Sequence, residues 1–544
     1  KTLSTIDKKD RVDNIMGLWT VRGAQRPITD FYEFVDSVGE GNYGVVQRWR
    51  PLQNTSGSKE SEVAVKQIKW KYVGRSCFRQ KDRETSIRNE LRMLLVLDNP
   101  FIIKFREWFE HPWLGIFFVM ELCTGQTLQD LLDEVCLRPS LADRQAEMPA
   151  LRRYFREIVY AVAYIHNLDP PVIHRDLKPD NVIMATSDKH SCIKVIDFGL
   201  ASLKSSDQED GDYQQGTLVF MAPEQYVNVA GEYTEEMDIW ALGVILAWIL
   251  SAVELGSLQH PMLDLESGKG FDVQWIDLYR AYKEEGPWNR DLTRPGPCSQ
   301  ILDQVLVHNP ADRARANDIL QADWVRVDDP AAAACATLLR KGALLANMST
   351  YAQLSRFDKK ILSLVADHAA ETKVAMLRQT FRCFDTSMTG RISCDELLQG
   401  FRRNDVDISE EDVQDIFEAI DKDNTGAISY NEWIAATIGC ESLRSEKAIH
   451  AAFRNLDPTG KGSIDAEDLK RALGHAGAQE VFEDEASPIS SPESKIRGGE
   501  HITFEQFRDM VHKTSRRRFA PMKTVLDFKV LNLSLPTDCL REPS

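Results

Sequence analysis

Ten cysteines are scattered singly along this chain, and no two stand in a CxxC pair. That absence argues against a zinc site or a disulfide framework and favours free thiols in a reducing compartment. Long apolar runs are missing too. The longest uncharged one, Ile239–Val253, has 15 residues, which is short for a membrane span and reads as a buried core helix. Positive charge is in deficit: 66 Lys and Arg stand against 83 Asp and Glu, a net charge of −17. Wholesale nucleic-acid binding, which needs a basic surface, is therefore not expected. The sequence opens on Lys1 rather than Met, so the lack of a signal or acylation motif says nothing about targeting. The expected setting is cytoplasmic, with membrane association left open.

What is present points to several domains. At about 150 residues per domain, 544 residues allow three or four. Residues 1–30 read as a polar leader. From Phe31, short β-rich runs (Phe31–Val38, Val45–Arg50, Glu62–Trp70) alternate with turn signals, and from Leu128 to Val325 the pattern turns helical. Residues 327–373 form a junction whose Leu354, Phe357, Ile361, Leu364 and Val365 recur at helical spacing, as in one amphipathic helix. Residues 374–512 hold acidic, glycine-bearing loops that start at Asp385, Asp421 and Asp457, a strict 36-residue repeat. Between Lys373 and His512, 27 acidic residues face 16 basic ones; the imbalance fits either a solvated face or oxygen ligands for a hard cation. Residues 481–499 read as a flexible insert and 513–544 as a tail bearing Arg516–Arg518.

The first constellation carries phosphate chemistry. Gly39, Gly41, Gly44 and Val46 fit GxGxxGxV between two strand-like runs, where glycines let a hairpin close over nucleotide phosphates. Lys66 ends the strand Val63-Ala-Val-Lys and suits the α- and β-phosphates; Glu90, in a helical run, is its candidate partner. His174-Arg-Asp176-Leu-Lys178-Pro-Asp-Asn181 offers a base, a cation and an amide, Asp197-Phe-Gly adds a carboxylate, and Ala222-Pro-Glu224 follows. Phosphoryl transfer needs this inventory of magnesium ligands, phosphate cation and hydroxyl-orienting carboxylate. Each residue alone has a structural reading, Lys66 as a solvated strand end and Asp176 as a helix cap; six motifs in fixed order do not.

On these motifs residues 31–326 resemble a eukaryotic protein kinase domain. The resemblance implies a bilobal fold with a β-rich N-lobe and a helical C-lobe, acting on protein substrates with ATP and magnesium. It implies that Asp176 takes or orients the substrate hydroxyl's proton and that Lys178 stabilises the transferring group. Asn181 and Asp197 would hold magnesium, and Lys66 and Glu90 would form an ion pair. Val46 and Ala64 would enclose adenine, Glu121 and Cys123 would bond it through backbone atoms, and Met120 would guard the back pocket. Asp238 and a Glu224–Arg313 pair would be structural. Lys178 two residues after Asp176 resembles the serine/threonine kinases. Two departures stand out. Asp207, Glu209, Asp210 and Asp212 supply negative charge near Arg175, which makes loop phosphorylation dispensable as an expectation. Thr127 stands where basophilic members often carry glutamate.

The second constellation carries calcium chemistry. A 12-residue EF-hand loop needs oxygens at positions 1, 3, 5, 7, 9 and 12 and glycine at 6. Asp421, Asp423, Thr425, Ala427, Ser429 and Glu432, with Gly426, meet every requirement. Asp385, Ser387, Thr389, Arg391, Ser393 and Glu396, with Gly390, also fit, but only two ligand positions are carboxylates, so weaker binding is expected. The third loop places Lys461 at position 5 and Asp468 at 12, and the fourth remnant, with Ile502 at position 8, ends on Gln506; neither is expected to hold calcium. Kinase, helical junction and four hand-like units resemble the calcium-dependent protein kinases of plants and protists, an α+β multidomain chain ending in an all-α calmodulin-like module. In that family the C-terminal pair is usually competent; here it is eroded, so sensing falls on the first pair. The implied mechanism is intramolecular. Without calcium the junction, with Lys359 and Lys360, obstructs the kinase, and calcium draws it onto the hands. A constitutive kinase with structural hands, and a calcium-binding scaffold with weak catalysis, are the alternatives.

Overall fold

Short β-rich runs from Tyr32 onward build an antiparallel sheet. A computed structural model describes residues 27–41, 44–52, 62–68, 91, 93–95, 97–111, 114–188, 191–203, 217–227, 234–261, 288–289, 292, 296–327, 342–354, 356–366, 371–421, 425–438, 446–457, 461–465, 468 and 501–517. Strands β1 (Tyr32–Gly41), β2 (Gly44–Pro51), β3 (Val63–Ile68), β4 (Phe105–His111) and β5 (Gly115–Glu121) lie in the order β1-β2-β3-β5-β4. Successive strand residues face opposite sides. Val63 and Val65 therefore join Phe31, Trp49, Phe109 and Phe117 in an outer apolar cluster. Ala64 and Lys66 face the other way, toward the helical lobe.

That lobe is built around two helices. Met148–His166 buries most of its length, and Glu236–Glu254 is apolar on every side. By length and composition the second could cross a membrane, but it is the centre of the kinase core. Two short antiparallel ladders, Val172–Ile173 with Ser202–Leu203 and Val182–Met184 with Ile193–Val195, clamp the segments between them. Those segments carry His174 to Asn181 and Asp197.

The C-terminal half has its own core. Hands pair through short ladders: Arg391 with Ser429 and Ile392 with Ile428, then Ile464 with Ile502. The last pairing places Ile502 at loop position 8 of a fourth hand. Each of the first two exit helices starts with a capping box that reuses loop positions 9 and 12, Ser393 with Glu396 and Ser429 with Glu432. The junction differs from the single amphipathic helix expected. Among its described residues, two helices, Ala343–Ala352 and Arg356–Ala366, precede the helix Glu371–Phe384. Leu344, Met348 and Tyr351 bury one face and Ile361, Leu364 and Val365 another, all within the EF-hand core. Both pack on the helix Tyr430–Thr437, but the first also meets Glu410–Ile420 and the second Glu446–Leu456, which requires a bend that one straight helix lacks. Leu354 falls in that bend and is only half-buried, while the Phe357 side chain lies outside the described residues. So do the leader up to residue 26, the stretch 204–216 with its acidic cluster, the insert 481–499 and the tail from 518.

Candidate functional site: a phosphoryl-transfer cleft and two ion loops

The hairpin of β1 and β2 carries the glycines. A Cβ on Gly44 would lie 2.2 Å from the Gln67 carbonyl oxygen of β3, so the fold itself demands glycine there, whereas Gly39 has open space around it. Gly41 pairs with Gly44 at the hairpin end. Strand register sets Val46 beside Lys66, and Ala64 beside Met120 at the end of β5. The Glu121 backbone N–H is committed to the Lys104 carbonyl at 2.9 Å, so a nucleotide contact by Glu121 falls to its own carbonyl. Its carboxylate is held by Lys194 at 2.8 Å. Cys123 is half-buried in the segment that follows.

Across the cleft, Lys66 Nζ lies 2.8 Å from Asp197 Oδ1. Burial alone would push the Asp197 carboxyl up, but the Lys66 ammonium overcomes it and holds the group below the usual carboxylate range. Asp197 sits in the left-handed region at φ +63°, as does Arg175 at φ +70°. Such conformations cost energy in non-glycine residues and persist only where neighbours impose them. Asp238 imposes one of them. It is 1% exposed and accepts hydrogen bonds from the backbone N–H of His174 (2.8 Å) and Arg175 (2.9 Å) and from His166 Nε2 (3.0 Å). Burial opposes the ionised form, yet the His166 bond and these N–H donors hold its carboxyl below the ordinary value.

Asp176 is thereby presented with its neighbours. Lys178 Nζ lies 2.9 Å from Asp176 Oδ2, and Asn181 Nδ2 donates to the same oxygen at 3.1 Å. Asp176 Oδ1 accepts both the backbone N–H and the hydroxyl of Thr217, at 2.9 and 2.8 Å. Lys178 also donates to Thr217 Oγ1 at 2.7 Å. Sequence reasoning missed Thr217 because this partnership crosses 41 residues and obeys no local spacing. The structure thus brings Lys66, Asp176, Lys178, Asn181 and Asp197 to one cleft; Glu90 lies outside the described residues. Arg313 grips Glu224 through two bonds of 2.6 and 2.7 Å behind it.

The ion loops can be tested for fit by their oxygens. In the second loop Thr425 Oγ1 lies 3.3 Å from Asp421 Oδ1 and 2.9 Å from the Ala427 carbonyl, so positions 1, 5 and 7 converge. Ser429 and Glu432 close the loop at its helix start; Asp423 lies outside the described residues. In the first loop Thr389 Oγ1 lies 3.1 Å from the Arg391 carbonyl and 3.2 Å from Ser387 Oγ. Glu396 reaches inward to accept from the Ser387 backbone N–H at 2.8 Å. Oxygen-only donor sets of this kind suit calcium. Among the described residues no three Asp, Glu, His or Cys side chains are placed so as to hold a metal ion together. Burial, helped by the Glu396 charge, pushes the Asp385 carboxyl up to about 7, against the pull of the Tyr160 hydroxyl and of the Gly390 and Thr389 N–H groups, which favour the ionised form.

The third loop is occupied from within. Its Lys461 ammonium bridges Asp465 and Asp468, the latter at 2.6 Å, while Asp457 caps the loop N–H groups of Lys461 and Gly462 at 3.1 and 2.8 Å. Sequence reasoning saw that lysine cannot ligate calcium; it did not see that the ammonium stands in for the cation.

The protein kinase domain model matches residues 32–325, and the EF-hand domain pair model matches 374–438. Calcium-dependent protein kinase 22 of Arabidopsis thaliana is 27% identical over 94% of this chain and 95% of its own length. Calcium-dependent protein kinase 17 of the same plant is 27% identical over 93% and 88%. Calcium-dependent protein kinase 2 of Zea mays is 29% identical over 84% and 81%. A catalytic loop anchored by Asp238, a cleft that joins Lys66 to Asp197, and a domain match over more than half its length identify the chain as a member of the protein kinase family, with an EF-hand pair following the kinase domain.

Proposed function

We propose that this chain is a calcium-regulated serine/threonine kinase that moves the γ-phosphoryl group of ATP to protein hydroxyls. In this reading Asp176 orients the acceptor hydroxyl and takes its proton as the oxygen attacks. Lys178, between Asp176 and Thr217, compensates the charge of the transferring group, and Lys66 holds the α- and β-phosphates. Asn181 and Asp197 would hold magnesium, which when bound neutralises charge between the β- and γ-phosphates. Thr217 fixes the Asp176 carboxylate through Oδ1, while Lys178 and Asn181 hold Oδ2. Lys178 two residues beyond Asp176 supports serine and threonine as acceptors.

The observation that carries calcium regulation is where the junction lies. Ile361, Leu364 and Val365 are buried among hand helices, and Lys359 Nζ donates to the Ala419 carbonyl at the end of a hand helix. The kinase residues are meanwhile assembled. Capture of the junction by the hands is what this reading expects of the released state. The relatives' names support the same reading.

The test is phosphorylation rate against free calcium for the intact chain, Glu432→Gln and Val365→Asp. Glu432→Gln should shift the response to higher calcium by about tenfold or more, since it removes a ligand charge. Val365→Asp should stay inactive at saturating calcium, because a buried carboxylate expels the junction from the hands. If both variants respond as the unmodified chain does, capture of the junction is not the switch.

A further inference from the structure

One face of the Met148–His166 helix is turned to the first ion loop. Tyr160 and Tyr164 lie one turn apart, and Asn167, the residue that caps the helix, is three further on. All three meet the loop. The Tyr160 hydroxyl donates to Asp385 Oδ2, with Tyr160 2% and Asp385 1% exposed. A Cβ on Gly390 would stand 2.1 Å from the Tyr164 ring, so loop and ring are in closest contact at the glycine. Asn167 Nδ2 donates to the Met388 carbonyl at 3.1 Å. Arg382, in the helix entering the loop, lies over the rings of both Tyr160 and Phe101.

The first two loops differ at position 1. In each, the aspartate accepts the N–H of position 5 on one oxygen and the N–H of position 6 on the other, at 2.9 and 2.8 Å for Asp385 and 3.0 and 2.8 Å for Asp421. Asp421 draws its donors, among the described residues, from its own loop. Asp385 takes its third donor from outside the loop, and that donor belongs to the catalytic domain. It engages Oδ2, the oxygen that also accepts from Gly390, and leaves Oδ1 to the Thr389 N–H.

We propose that the first ion loop is an interdomain site. Tyr160 of the kinase domain is a positioning residue for its position-1 ligand, so docking on the Tyr160–Tyr164–Asn167 face raises the loop's calcium affinity. Linkage makes the converse hold: calcium in this loop tightens docking by the same factor. The kinase domain thereby tunes a loop that its ligand charge alone would leave weak. The inference rests on the first loop taking calcium, and the experiment separates that premise from the inference.

Calcium is titrated calorimetrically into the intact, chelator-stripped chain and into Glu396→Gln, Tyr160→Phe and Asn167→Ala. The unmodified chain should show a tight class of site, from Asp421–Glu432, and a weaker one. Glu396→Gln should abolish the weaker class; if it does not, the first loop binds no calcium and both premise and inference fall. Tyr160→Phe keeps the ring and removes only the hydroxyl, so the weaker class should lose about tenfold in affinity, the scale of one hydrogen bond to a buried carboxylate, with the tight class unchanged. Asn167→Ala, at an exposed helix end, should weaken the same class about two- to threefold, on the scale of a neutral hydrogen bond at the surface. It decides the matter if Tyr160→Phe fails to fold. A weaker class that Glu396→Gln removes, but that neither kinase-domain variant moves, overturns the inference while leaving calcium binding intact.

Discussion

Removing Lys461 should expose what its ammonium does. In the third loop it neutralises Asp465 and Asp468, and Asp468 is only 3% exposed. Lys461→Met leaves the Asp468 carboxylate buried without its cation. Breaking a fully buried ion pair costs about 3–5 kcal/mol; Lys461 is one-third exposed, so solvent screens part of this and about 1–3 kcal/mol is expected. In the unmodified chain the contribution is independent of calcium, because the cation is covalently part of the loop. Lys461→Asn tests the same idea from the other side. It supplies a side-chain oxygen at position 5 and frees Asp465 and Asp468. With Asp457, Thr459 and the Ser463 carbonyl at positions 1, 3 and 7, every ligand position of the loop then offers an oxygen. Urea unfolding with chelator should show Lys461→Met less stable, and calorimetry should show Lys461→Asn binding one more calcium than the unmodified chain. Equal stability in the first variant, together with unchanged stoichiometry in the second, would refute the view that lysine replaces the ion.

Two further outcomes follow from buried groups. Asp238→Ala should orphan the N–H groups of His174 and Arg175, costing about 2–6 kcal/mol for two unsatisfied buried donors. Asp238→Asn keeps an acceptor and should cost less, and denaturant midpoints together with kcat distinguish the two. His260 is buried with Nε2 on the Val219 carbonyl, and burial pushes its pKa down from 6.5 to about 3. The folded chain keeps it neutral while the unfolded chain protonates it, so its contribution is full above 6.5 and is lost as pH falls from there toward 3, at about 1.4 kcal/mol per pH unit. His260→Gln should remove that slope between pH 6.5 and 5 in urea unfolding; parallel pH dependences of the two proteins would show that His260 is not the cause.

Much of the catalytic cleft was legible because its chemistry is local. Glycines at a hairpin, a lysine ending a strand and a carboxylate two residues before another lysine are spacings that a strand or tight loop converts directly into geometry. The ion loops were legible for the same reason: 12 consecutive residues fold around one point. What escaped is non-local. The bond from Tyr160 to Asp385 spans 225 residues and that from Thr217 to Asp176 spans 41; no periodicity encodes either. The bend in the junction escaped because an apolar stripe records which residues are buried, not how many surfaces bury them. Gly44 was assigned to phosphate approach, yet its own sheet already forbids a side chain there.

The Met148–His166 helix has a hold at each end of its final two turns. Near Tyr160 it grips the calcium module, and at His166 it grips the carboxylate that anchors the backbone of the catalytic loop. Each residue added to a helix turns everything beyond it by about 100°. A single insertion or deletion between these positions would therefore keep one grip and swing the other off its target, so the number of residues separating them is as constrained as their identities.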